Sequence, residues 1–333
     1  MDKYQKKTRT MSNLTQIAVS LQRVILPINA LLGIIGNSLN IAVLTRRSLF
    51  YHACSRYFLA LAGNNLFYST IMITQRLLSN GYQINITTNS IIACKIVTYI
   101  STLSSFLATY FIILASIDRC CASSHNAQIR KFSNVRVAHW MILLVVGVLA
   151  LFFIHILIIC KLDPGKGFAC VTQADTTYFQ VYIIIQVLLF AVVPPSLMMI
   201  CGIITIKNMK RSRVVPISIS RFNRTENQLG QMLFFQVGAH ILLTLPTSVS
   251  YLISTLPNPT RSTSTYAFAA VICQMFFTFS IGMPFFSYIL SSRVYRKQLK
   301  RLIYKIFRKR VDNQEDPSAN QNTIHHGTAV AKP

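Results

Sequence analysis

The chain has 333 residues, of which 52% are hydrophobic and only 12% charged, and its formal net charge is +25. An ordinary soluble domain carries about 25% charged residues, and seven long apolar stretches leave too little sequence between them for a soluble unit. The basic excess is spread over alternate loops, which argues against nucleic acid as the partner and points to anionic lipid headgroups instead.

The first residues, 1–23, are polar and lack the apolar core of a signal peptide, so they read as an extracellular N-terminus and the first span as its own insertion signal. Apolar stretches follow near 24–44, 57–78, 94–117, 137–160, 180–206, 229–256 and 266–290. Each reaches the roughly 20 residues of helix that cross a bilayer. The expected fold class is therefore an all-α membrane protein, with a seven-helix transmembrane domain over 24–290.

In the first span, Gly33, Gly36 and Asn37 allow close helix contact and a polar bond to a neighbour. Asn64 and Asn65 lie at mid-depth in the second and need partners there. Trp140 is near the inner end of the fourth. Pro194 and Pro195, Pro246 and Pro284 fall in the fifth, sixth and seventh, and each removes a backbone donor, so these three helices should bend. Residues 291–310 place apolar positions among basic ones at helical spacing, as an amphipathic cytoplasmic helix on the inner leaflet would. The remainder, 311–333, is polar and reads as a disordered cytoplasmic tail.

The loops after spans one, three and five hold thirteen Lys or Arg, and the opposite loops with adjoining span ends hold five. Basic loops stay in the cytoplasm, so the C-terminus lies inside and the N-terminus outside, although Lys3, Lys6, Lys7, Arg9 and Arg23 locally oppose this. With that topology, Asn13 and Asn85 are outer glycan acceptors, while Asn223 faces inward and stays bare. Cys94 and Cys170 meet the oxidising side and can form a disulfide, with Cys160 an alternative partner. No phosphate-binding glycine loop, Ser-His-Asp arrangement or metal-ligand spacing is present. His139, His155 and His240 read as packed or interfacial residues, and no enzymatic activity, metal or cofactor is expected.

The ordered set of residues resembles the rhodopsin-like family of G-protein-coupled receptors over roughly 20–310, in a divergent member. Asn37, Trp140, Pro246 and Pro284 match the family's residues in helices one, four, six and seven. Cys94 lies 25 residues before Arg119, as the family's helix-three cysteine does, which implies Cys170 as its partner. Asp118-Arg119-Cys120 resembles the Asp-Arg-Tyr motif with its tyrosine replaced. An arginine at the membrane edge needs a counter-charge, and Asp118 is adjacent. Glu226 stands 20 residues before Pro246, where many members carry an acid that clasps this arginine at rest, which implies an Arg119–Glu226 clasp that opens on activation.

The departures bear on mechanism. Asn65 replaces the helix-two aspartate that binds sodium in many members, and a neutral amide cannot offset a cation. Helix seven reads Met283-Pro284-Phe285-Phe286-Ser287, with Tyr288 one residue later than the family's tyrosine, and helix six has Leu243-Thr244-Leu245-Pro246. An altered activation relay follows. Ser101 occupies the position of the aspartate that amine receptors use against an ammonium, which makes a biogenic amine a poor fit.

Arg76, near the outer end of the second span, either snorkels to the headgroups, the reading the sequence favours, or attracts a carboxylate or carbonyl. Ser101, Thr102, Ser105, Tyr251 and Gln274 are candidates to line a ligand cleft. The resulting expectation is a plasma-membrane receptor that passes the signal of an extracellular, peptide-like ligand, a neuropeptide among the candidates, to a heterotrimeric G protein through helix movement around Arg119. The alternatives are a chemosensory receptor of the same fold and a seven-helix transporter or channel. The last would need the intramembrane carboxylates or repeated halves that are missing here.

Overall fold

The computed structural model describes residues 2–84, 87, 90–163, 169–172, 177–212, 221–255 and 263–314. It is a helical bundle. Helix α1 (Asp2–Leu44) is followed by short α2 (Arg47–Phe50), then α3 (Ala53–Phe67) and α4 (Thr74–Arg76), and by α5 (Ile91–Ser123), short α6 (Ala127–Arg130) and α7 (Val135–Phe153). After α8 (Ile156–Ile159) comes a two-stranded antiparallel hairpin, β1 (Cys160–Asp163) and β2 (Ala169–Thr172), with Leu162 opposite Cys170. Helices α9 (Thr177–Val187), α10 (Val193–Ser212), α11 (Arg221–Thr255), α12 (Ser264–Ser291) and α13 (Arg293–Gln314) complete the described chain.

Helix is the secondary structure that satisfies every backbone donor within one segment, as hydrocarbon demands. Among the described residues, six helical stretches are long and apolar enough to cross a membrane: Asn13–Leu44, Ile91–Ser123, Val135–Ile159, Ile184–Asn208, Asn227–Ile253 and Ser264–Ser291. Local chemistry sets several starts. The side chains of Ser90, Asn134 and Thr263 each precede a helix and accept a hydrogen bond from an amide of its first turn. Such caps contribute about 1 kcal/mol each.

The expected second span is not among the six. Residues 53–81 are helical without a break, yet wide π turns at Tyr68–Ile73 and Leu77–Gly81 divide the stretch, so no single α-helix in it is long. A π turn holds an extra residue, which rotates every side chain beyond it by about 100°. A third π turn, Leu188–Val192, lies one turn before Pro194 and Pro195. It contains the carbonyls that those prolines cannot bond, and widening the turn accommodates them. At the other end of the chain, α1 begins more than twenty residues before the expected first span.

The outside of the bundle is apolar. Leu143, Leu144, Val148, Leu151 and Ile158 are exposed along α7 and α8, as are Met199, Ile200 and Ile203 on α10. A patch of this extent would be a liability in water and suits lipid. The inside mixes apolar packing with buried amides and hydroxyls, among them Asn37, Asn40, Asn65, Gln236 and Thr278. Trp140 differs from a packing role: it is 74% exposed on the outer face of α7. An indole at a span end gains more at the lipid–water boundary than inside the bundle.

Close approach requires glycine at two points of α1. A Cβ on Gly33 would lie 2.0 Å from the Ser69 hydroxyl oxygen, and one on Gly36 would lie 2.9 Å from Cβ of Phe285. These contacts seat α1 against the 53–81 helix and α12, and they bring Asn37 to the helix-seven proline. Asn37 Nδ2 donates to the carbonyls of Gly33 (2.8 Å) and Ile281 (3.1 Å), and Asn65 Nδ2 donates to Ile281 at 3.2 Å. Ile281 lies in the turn that Pro284 opens, and its carbonyl is held by two side chains.

Candidate functional site

Two polar centres are strung along α5. Near its C-terminal end Asp118 and Arg119 are both buried, and Arg119 donates from Nε (3.0 Å) and Nη2 (2.5 Å) to Asp118 Oδ2. The other carboxylate oxygen, Oδ1, accepts from Ser133 Oγ at 2.8 Å. Both oxygens of the acid are therefore engaged. A buried charge is tolerated only when paired and hydrogen-bonded in this way.

His52, the residue before α3, packs into the same region and is 5% exposed. Burial, followed by repulsion from Arg119, pushes its pKa down to about 4, against a partly opposing pull from Asp118. It is held as neutral imidazole. Neither Ser133 nor His52 was singled out in the sequence. From loops between spans, Ser133 reaches Asp118 and His52 comes near the Asp118–Arg119 pair, at separations no local motif encodes.

Glu226 lies on α11, but its side chain is outside the described residues, so the expected clasp to Arg119 has no geometry here. Two residues later, Gln228 ties the inner end of α11 to the end of α12. Its Oε1 accepts from Ser292 Oγ at 3.1 Å and from the backbone amide of Val294 at 2.6 Å. The second bond satisfies an amide of the first turn of α13, where no helical carbonyl is available. Tyr288 is buried between Phe58 (centroids 5.0 Å) and Tyr295 (5.7 Å), and Tyr295 donates to Asn40 Oδ1 at 2.6 Å. Ser287 is buried at the position of the family's tyrosine.

The second centre is a cavity of about 290 Å³ toward the opposite end of the bundle from Arg119. Arg76, Ser101, Thr102, Ser105, Tyr251 and Gln274 all line it, with Phe106, Phe190 and Phe277 supplying aromatic surface. Here the structure departs from the snorkelling expected of Arg76. Its Nη2 donates to Ser101 Oγ at 3.4 Å, and its guanidinium lies 6.0 Å from the centre of the Tyr68 ring. The π turn at Tyr68–Ile73 intervenes between the regular start of this helix and Arg76, and straight-helix geometry cannot anticipate the rotation it introduces.

Cys160 is a free thiol. The Cys170 side chain and Asn85 lie outside the described residues, and Asn13 is exposed on α1. Among the described residues no group of three or more His, Cys, Asp or Glu could hold a metal ion.

Residues 36–284 match the family described as "7 transmembrane receptor (rhodopsin family)". The chain belongs to this family, whose members are receptors rather than enzymes. No curated protein matches the chain.

Proposed function

We propose that the protein is a plasma-membrane G-protein-coupled receptor in which an extracellular, peptide-like ligand, a neuropeptide among the candidates, biases helix positions around Arg119 and so activates a heterotrimeric G protein. One observation carries the reading: a single helix, α5, lines the outer cavity with Ser101, Thr102 and Ser105 and ends in the buried Asp118–Arg119 pair. Ser105 and Arg119 are separated by about 21 Å of helix at 1.5 Å per residue, so one rigid element joins both sides. A ligand need only prefer one of two existing arrangements to shift that helix and its neighbours.

In this reading the 53–81 helix is the second of seven crossings, the N-terminus is outside, and α13 lies on the inner leaflet. Tyr295, Leu299 and Leu302 form the buried face of α13, while Arg293, Lys297, Lys300 and Arg301 are exposed, as an interfacial helix requires. A disulfide between Cys94 and Cys170 fits a buried Cys94 in disulfide form beside a free Cys160. Asn13 and Asn85 are the proposed glycan acceptors. A biogenic amine is disfavoured, because Arg76 donates to Ser101 where an amine would need an anion.

The resting clasp pairs Arg119 with Glu226, and the basic segment from Lys207 to Arg224 meets the G protein. Basal nucleotide exchange is measured for wild type, Glu226→Ala and Arg119→Ala at equal surface expression. Glu226→Ala should raise basal exchange and Arg119→Ala should abolish activation. A flat Glu226→Ala response removes the clasp, and unimpaired activation in Arg119→Ala removes the mechanism.

A further inference from the structure

We infer that the outer cavity takes a ligand that presents a single carboxylate to Arg76 and lays a compact apolar body over the aromatic wall. The consequence of binding rests on the receptor reading above. The recognition itself does not.

Arg76 is the one charged side chain among the described residues lining the cavity. A guanidinium has five N–H donors, and among the described residues Arg76 spends one of them, on Ser101 at 3.4 Å. Its guanidinium also lies near the Tyr68 ring and close enough to Tyr251 to act on it electrostatically. The cation is half-buried at the cavity wall, and among the described residues it has no carboxylate partner. This is the reverse of Arg119, whose acid is next to it in the chain.

Three of the hydroxyls around the cavity are already committed as donors. Ser105, Thr247 and Ser248 donate to backbone carbonyls at 2.8, 2.7 and 3.1 Å. Using them for a ligand would expose those carbonyls in a low-dielectric interior. They remain good acceptors, so the wall offers acceptors broadly and strong donation in one place. An anion therefore docks at Arg76.

The charge count selects the kind of anion. One cation neutralises one negative charge, whereas a phosphate monoester near neutrality brings almost two. A planar carboxylate also matches the guanidinium fork in bidentate geometry. A neutral carbonyl would occupy one donor and leave the charge uncompensated. The rest of the cavity favours an apolar body: Phe190 lies 5.3 Å from Phe106 and 6.3 Å from Phe277, centroid to centroid. About 290 Å³ admits a compact group, near the lower end of ligand cavities.

Such a carboxylate has two sources, the free C-terminus of a peptide or a small apolar carboxylic acid. The test uses the full chain purified in detergent and its thermal midpoint. One arm adds N-acetyl dipeptides with apolar side chains, as acids and as primary amides. The other adds phenylalkanoic acids and their amides. Arg76→Gln and Arg76→Lys are run beside wild type, after equal surface expression and monodispersity are established.

At least one acid should raise the midpoint of wild type while its amide does not. Arg76→Gln should weaken that response at least about tenfold, and Arg76→Lys should retain part of it, because lysine keeps the charge without the fork. A response confined to one arm identifies the source. No response to any acid, equal responses to acid and amide, or an unchanged response in Arg76→Gln overturns the inference. G-protein nucleotide exchange is scored separately: an acid that stabilises the protein without driving exchange preserves the ligand class and counts against the receptor reading.

Discussion

Two arginines divide the molecule. Arg119 at the inner end is buried, and the chain supplies its counter-charge one residue away, with Ser133 holding the other side of that acid. Arg76 at the other end is half-buried among hydroxyls and aromatic rings, and among the described residues the cavity around it has no acid. Burying a cation is costly in both places, more so where water is excluded. The inner cation is completed by the protein itself and acts as a structural joint. The outer one is incomplete, and incompleteness at a cavity wall is the condition for recognising something from outside.

The most severe way to break this comparison is to make the inner arginine resemble the outer one. Asp118→Ala leaves Arg119 buried without its partner, and breaking a buried pair costs about 3–5 kcal/mol. The expected result is a large fall in surface expression and thermal midpoint, and an equal change at Arg76, Arg76→Gln, should leave both near wild type. If the two substitutions cost the same, the inner pair is no more structural than the outer cation, and the distinction fails.

A smaller effect separates the inner joint from its surroundings. Gln228→Ala removes the two hydrogen bonds that hold α11 to Ser292 and to the start of α13, worth about 1 kcal/mol each. Basal nucleotide exchange should rise at matched surface expression, because the inner end of α11 is released. Gln228→Glu keeps the acceptor and should stay close to wild type. A Gln228→Ala protein with unchanged basal exchange would show that this tie does not restrain the helix.

Much of this was legible in the sequence because it is carried by residues whose environment is forced. An apolar stretch of sufficient length has few alternatives to a membrane helix, and an arginine followed through the membrane edge needs an acid. Asn37 reached a helix-seven carbonyl as its depth in the membrane required. The elements that escaped are those set by backbone detail or long-range closure. The π turns between Tyr68 and Gly81 leave no periodic trace, yet they decide where Arg76 points and break up the expected second span. Trp140 has a side chain at home in a helix interface or at a lipid boundary, and only packing chooses. Ser133, His52 and Gln228 are ordinary polar residues until the fold brings the first two to the Asp118–Arg119 pair and the third to the start of α13.

The finest test of the comparison is proton uptake beside the inner arginine. His52 is buried with Arg119 close enough to disfavour its imidazolium, and its pKa falls from 6.5 to about 4. The unfolded chain therefore binds a proton that the folded protein refuses in the window between those two values. Stability from this site is complete above about pH 6.5, declines as pH falls through the window, and levels off below about pH 4. From about pH 7 to about pH 5.5 the loss is about 1 kcal/mol for a shift of this size, by linkage. His52→Gln cannot take up the proton, so the thermal midpoint of that variant should fall less than that of wild type over the same interval. Asp118→Asn should leave the slope unchanged and carry the decline to lower pH before it levels off, because it removes the one charge that favours the imidazolium and leaves Arg119 unopposed. An identical pH response in wild type and His52→Gln would mean that the histidine is hydrated beside Arg119, and the inner centre would then be as open to water as the outer cavity.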